Sequence, residues 1–250
     1  PDAGQGCKAI QPVLPALVAG GGKLIDTAPS YGTAETVLGA LLKDTGLRDR
    51  IFLATKVAVR NRAESIAEMR RSLERLQTPR LDLMQLHNVR DAKQDLALLR
   101  EWKAEGICRY TGITSSFERD YPAVAATLER EKPDFFQINY SLADREAEQR
   151  LLPLARDAGA AVVINLPFGR GKLFRLVRGK TVPEWAAAEL DARTWGQFFL
   201  KFLLGHPAVT AVIPGTDKVE YMEDNLEAAR GRLPDAAMRR KMVAYIESLG

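Results

Sequence analysis

Short apolar runs alternate with longer amphipathic stretches along almost the whole chain. The runs are Leu24 to Thr27, Ile51 to Val57, Leu81 to His87, Tyr110 to Thr114, Phe135 to Tyr140, Ala161 to Leu166 and Thr210 to Ile213. Their starts lie mostly about 25–30 residues apart, the length of one strand-plus-helix unit. Continuous apolar runs of this kind suit strands covered on both faces, so the alternation predicts a parallel sheet flanked by helices. The helical stretches carry their own punctuation. Ser65 and Glu68 have capping-box spacing, Ile66, Met69, Leu73 and Leu76 follow at helical intervals, and Pro79 ends the run. Leu98, Leu99 and Trp102 run to Gly106, and Phe198, Phe199, Phe202 and Leu203 run to Gly205, both suitable helix stops.

A chain of 250 residues matches one (β/α)8 barrel, and residues 1–250 read as a single barrel domain. Seven runs are one short of a closed barrel, and Pro1 to Gly6 has no strand character. The expectation is that a first strand precedes the helical segment Lys8 to Ala19 and is missing from this sequence. An open doubly wound sheet is the competing architecture. Its Gly-rich GxGxxG turn after the first strand is absent.

Composition excludes several functions. The 36 basic and 32 acidic residues leave a net charge of +4, but the signs are interleaved, as from Arg60 to Arg80. No basic stripe with interleaved aromatics marks a nucleic-acid binder. Cys7 and Cys108 form no disulfide framework and no metal-ligand spacing, so no metal site is expected, and a reducing, cytoplasmic compartment is. No apolar run reaches the roughly 18 residues of a membrane span. The chain starts at Pro1, not Met, which leaves open a targeting signal ahead of it.

In such a barrel, chemistry belongs to polar residues at the carboxyl ends of strands. Asp26, Lys56 and His87 end three successive runs, and Tyr31 follows Asp26 on the loop above. Each alone has a plain structural explanation: a helix cap, a solvated charge, a satisfied imidazole. Together they form a coherent set. A phenol can give a proton, an ammonium can stabilise the phenolate left behind, a carboxylate can hold the ammonium, and an imidazole can orient a carbonyl.

These residues sit in LIDTAPSYGTAETVLG (Leu24 to Gly39), FLATKV and LMQLHNV, and here the chain resembles the aldo-keto reductases, of bacterial type, over nearly its whole length. The resemblance implies catalysis by Asp26, Tyr31, Lys56 and His87. It extends to the cofactor segments. GITSS places Thr114 and Ser115 on the nicotinamide carboxamide, with Ser115 where the family usually has Asn, and FFQINYS adds Gln137. PFGRGKLF resembles the loop over the pyrophosphate and brings in Pro167, Phe168, Gly169, Arg170, Gly171 and Lys172. Asn165 stands where the family commonly stacks an aromatic ring on the nicotinamide. VIPGTDKVEYMEDN resembles the adenosine segment, with Gly215 and Thr216 near the ribose and Asp224 and Asn225 near the adenine. Where some members hold a 2′-phosphate with Lys and Arg, this chain has Gly215 and Tyr221, and Lys218 is the nearest substitute.

The implied reaction is hydride transfer between NADPH, with NADH as the second choice, and a small-molecule aldehyde or ketone, apolar by default, with Tyr31 as general acid. A Schiff-base aldolase using Lys56 and a cofactor-binding barrel with weak turnover are the alternatives. Asp26 opposes the first, because a paired ammonium is a poor nucleophile, and the intact tetrad opposes the second. The loops Asn88 to Asp95 and Arg170 to Thr194 are expected to set specificity, with Trp185 and Trp195 as pocket walls or as core. The sequence assigns neither the physiological carbonyl nor an oligomeric state.

Overall fold

Burial of the strand runs on both faces is what makes a parallel arrangement favourable. The computed structural model describes residues 10–58, 61–91 and 96–250. In it the strands lie side by side in chain order, all parallel: β1 (Leu24–Asp26), β2 (Phe52–Val57), β3 (Leu81–Leu86), β4 (Cys108–Thr114), β5 (Phe135–Asn139), β6 (Ala161–Asn165) and β7 (Val209–Val212). Every expected run is a strand. Leu53, Met84, Ile113, Phe136 and Val162 are fully enclosed, each such side chain contributing about 1.5–3 kcal/mol.

Helices α1 (Val13–Ala19), α2 (Ala34–Thr45), α3 (Arg62–Leu76), α4 (Ala97–Ala104), α5 (Tyr121–Glu131) and α6 (Leu151–Asp157) alternate with the strands. After β6 come α7 (Lys172–Leu176), α8 (Glu184–Leu190) and α9 (Trp195–Leu204), and after β7 come α10 (Val219–Glu227) and α11 (Ala236–Glu247). None of the described helices is long and apolar enough to cross a membrane. Cys7, Lys8, Arg60 and residues 92–95 of the Asn88 to Asp95 loop lie outside the described residues.

The start of α3 differs from the sequence expectation. Ser65 does not cap it; the cap is Asn61, whose side chain accepts from Glu64 N at 2.9 Å. The same N-x-x-E spacing occurs one turn earlier, so the helix gains a turn and Ser65 is buried inside it. Glu68 is thereby free to accept from Ala58 N at 2.7 Å, tying α3 to the end of β2.

The amino-terminal end of the sheet is plugged by Phe52, Tyr110 and Phe135, with ring centroids 5.4–6.0 Å apart. The carboxyl ends remain free to carry polar groups. The sheet curls until residues of its two outer strands, Leu24 and Ile25 on one side and Ala211 and Val212 on the other, face a common cleft of about 680 Å³.

Candidate active site

Lys56 lies next to last in β2 and its side chain is only 1% exposed. A buried ammonium needs partners, and it has two: the carboxylate of Asp26, the last residue of β1, and Thr27 O at 3.0 Å. Asp26 Oδ1 also accepts from Gln85 Nε2 at 3.0 Å. The register aligns Lys56, Gln85 and Gly112 across β2, β3 and β4. At Gly112 a Cβ would stand 3.0 Å from Gln85 Cγ and from Phe135 O, a tight approach that glycine spares the Gln85 side chain. Gln85 escapes the sequence reading; its only signal is an amide inside an otherwise apolar strand run.

Tyr31 rises above this layer from the loop after β1, 49% exposed. The Lys56 ammonium lies 5.0 Å from its ring centroid, and His87 packs edge-on against it with centroids 5.9 Å apart. Burial, reinforced by the Lys56 ammonium, holds the His87 imidazole down at about 4 against a weaker opposing pull from Asp26. At neutral pH the ring is uncharged and has one N–H to donate. The loop carrying it is shaped by Thr114, whose hydroxyl accepts from Asn88 N at 2.9 Å while Asn88 adopts a positive φ of 57°.

The cofactor side is partly as expected. Gln137 and Asn165 both line the large cleft. Asn165 Nδ2 donates to Ser115 O at 3.3 Å, and its Oδ1 is buried with no partner among the described residues. That orphaned acceptor and the neighbouring Gln137 amide are the donor and acceptor pair a carboxamide needs, so the site fits a nicotinamide. Thr114 and Ser115 do not turn their hydroxyls into the cleft: the first serves Asn88, and the second lies 3.4 Å from Phe117 N and O. Ser116, one residue on, lines the cleft instead. The hydroxyl spacing of GITSS did not separate these three.

Pro167 to Lys172 form a tight turn after β6 in which Gly169, Arg170 and Gly171 all have positive φ (56°, 55° and 79°). Gly215, Thr216 and Asn225 line the cleft at its other end. Lys218 is exposed, its ammonium 5.0 Å from the Tyr221 ring centroid. Asp224 is engaged elsewhere: its carboxylate accepts from Thr194 Oγ1 at 2.8 Å and Gln197 Nε2 at 2.8 Å, latching α10 to the start of α9. Trp185 and Trp195 pack with Phe198 and Tyr245 among α8, α9 and α11. Neither lines the cleft.

The comparisons agree with this geometry. The profile of the aldo/keto reductase family matches residues 8–244. The aldo-keto reductase str7 of Strobilurus tenacellus is 31% identical, over 91% of this chain and 79% of its own length. The NADH-specific methylglyoxal reductase of Escherichia coli is 30% identical, over 90% of this chain and 84% of its own. The crystal structure of a Klebsiella pneumoniae aldo/keto reductase in complex with NADP and acetate superposes with a TM-score of 0.79 at 27% identity, covering 96% of this chain and 86% of that one. This chain therefore belongs to the aldo/keto reductase family, whose members are (β/α)8-barrel, NAD(P)H-dependent carbonyl reductases.

Proposed function

We propose that the chain reduces a small aldehyde or ketone to the alcohol, with Tyr31 as proton donor. The observation that carries this reading is the convergence of Tyr31 on both the Lys56 ammonium and the His87 ring at one mouth. When bound, a reduced nicotinamide supplies the hydride. The carbonyl oxygen would sit between the Tyr31 hydroxyl and the His87 N–H, two donors that can meet the charge that develops on it. Tyr31 passes its proton to that oxygen, and the Lys56 ammonium offsets the phenolate charge. Asp26 keeps the ammonium in place, and Gln85 keeps Asp26 in place. A neutral His87 orients the carbonyl without competing as an acid.

Gln137, Asn165 and Ser116 would hold the carboxamide, with Thr114 and Ser115 shaping the loops around it. Arg170, Lys172 and the flanking glycines would face the pyrophosphate. Gly215, Thr216 and Asn225 would surround the adenosine, and Asp224 would steady their helix. NADPH is the preferred cofactor on the strength of Lys218, with NADH compatible, since the Escherichia coli relative is NADH-specific and the Klebsiella neighbour holds NADP. We read residues 1–250 as one domain working in the cytoplasm. The Schiff-base alternative is disfavoured because Lys56 Nζ is held by both Asp26 and Thr27 O. Titration with NADPH and NADH, followed by an aldehyde panel, tests the reading. A reductase binds at least one cofactor and oxidises it; an aldolase binds neither; a binding module binds without turnover.

A further inference from the structure

A second cavity, of about 270 Å³, lies beside the reacting centre. Its walls are the turn before Tyr31 (Pro29 and Ser30), the end of β2, three side chains of α3 (Glu68, Arg71 and Arg75) and the ring of His87. It therefore shares one residue, His87, with the site that would hold the carbonyl.

Two of the charged groups around it, Arg75 and Glu68, are held in place by other residues. Arg71 and Arg75 stand one turn apart on the same face of α3, a like-charge spacing that costs an isolated helix a few tenths of a kcal/mol. Arg75, 39% exposed, is steadied by Glu35, 3.4 Å away and only 1% exposed. Glu35 is itself fixed by Thr55 Oγ1 at 2.8 Å. One Arg75 N–H group is used in this way, which leaves the rest of its donors unclaimed. Glu68 is pinned by Ala58 N. Arg71 has no carboxylate partner among the described residues.

We propose that this cavity is a subsite for a carboxylate carried by the carbonyl substrate, with Arg71 and Arg75 as its ligands. The substrate class is then a small oxo-acid whose carbonyl lies between Tyr31 and His87 and whose acid group reaches α3. The guanidinium fork matches a carboxylate in two parallel hydrogen bonds. A phosphate would also match the fork, but Glu35 already offsets Arg75 and leaves Arg71 as the guanidinium without a carboxylate partner among the described residues, so the cluster accepts one added negative charge more readily than two. His87, uncharged at neutral pH, adds neither attraction nor repulsion for the acid group.

This inference rests on the carbonyl-reductase reading, and its test separates the two. The kcat/KM for succinic semialdehyde is compared with that for butanal and for glyceraldehyde 3-phosphate in the wild type, Arg71→Gln and Glu68→Gln. A charge-assisted bidentate contact is worth about tenfold or more in affinity. The expected result is a preference of that order for the oxo-acid over butanal, largely lost in Arg71→Gln and increased in Glu68→Gln. Arg71 is exposed, so its substitution leaves the fold intact. Equal use of oxo-acid and butanal by the wild type, or a ratio unchanged in Arg71→Gln, overturns the subsite, and a preference for the phosphorylated aldehyde overturns the assignment to a carboxylate. Absence of turnover with all three aldehydes overturns the reductase reading, and the subsite with it.

Discussion

Replacing Asp26 with Asn isolates the buried pair at the base of the site. Asp26 and Lys56 side chains are 6% and 1% exposed, so neither can turn to water. In the wild type, one carboxylate oxygen serves Lys56 and the other serves Gln85 Nε2. An asparagine offers one acceptor and one donor at these places: its oxygen can face the ammonium while its N–H meets Gln85, whose Oε1 has no partner among the described residues and can turn to accept it, so what is lost is the charge opposite Lys56. The ammonium keeps Thr27 O at 3.0 Å and at most a neutral amide oxygen in place of the carboxylate. Breaking a buried pair on one side costs about 3–5 kcal/mol. For a chain of this size that corresponds to a fall in Tm of roughly 6–20 °C. Removing both charges, in Asp26→Asn with Lys56→Met, leaves no orphaned ammonium and should recover most of the loss, giving a coupling of about 2 kcal/mol or more. Urea unfolding of the wild type, both single variants and the double variant measures this cycle. A single variant that loses less than about 1 kcal/mol, or a double variant whose loss is the plain sum, would refute the argument that the pair is a dry, mutually dependent unit.

Three further outcomes follow from the geometry. Gly39→Ala places a Cβ 2.1 Å from Arg75 O, a backbone atom where α2 crosses α3, and should destabilise by about 1–3 kcal/mol in thermal or urea unfolding, since neither helix can yield cheaply. His87, one of two histidines, should titrate near 4 by proton NMR. Its folded value lies below the unfolded one of about 6.5, so between these the unfolded chain binds the proton and the stability present above about 6.5 is lost as pH falls towards 4; a midpoint of 6–7 would show an open, solvated ring. Lys218→Ala should lower the NADPH-to-NADH affinity ratio about tenfold, read from dissociation constants by cofactor fluorescence.

The strands were legible because parallel strands covered on both faces need unbroken apolar runs, and Leu53, Met84 and Val162 supply them. Asp26, Lys56 and His87 were legible because a polar residue ending such a run has few places to go but the mouth of the sheet. Less legible was anything decided by side-chain direction across the chain. Ser115 and Ser116 are chemically identical, and the Asn165 carboxamide, not the motif, separates their roles. Asp224 looks like a cofactor ligand in sequence, yet Thr194 and Gln197, some 30 residues away, occupy both its oxygens. Asn61 and Ser65 offer the same capping pattern one turn apart, and only the contact of Glu68 with Ala58 chooses between them. The Arg71 and Arg75 cavity had no motif at all, since its walls come from the turn at Pro29 and Ser30, the end of β2, α3 and His87, which are separated in sequence.

The central claim, that Tyr31 gives its proton to a carbonyl at this site, is tested most directly by the rate of NADPH oxidation with an aldehyde in the wild type and in Tyr31→Phe. Tyr31 is 49% exposed and its hydroxyl is not part of the core, so the variant should fold and bind the cofactor with nearly unchanged affinity. General acid catalysis is worth about a hundredfold or more, and kcat should fall by at least that factor. Turnover by Tyr31→Phe close to that of the wild type, with cofactor bound equally well by both, would contradict the account.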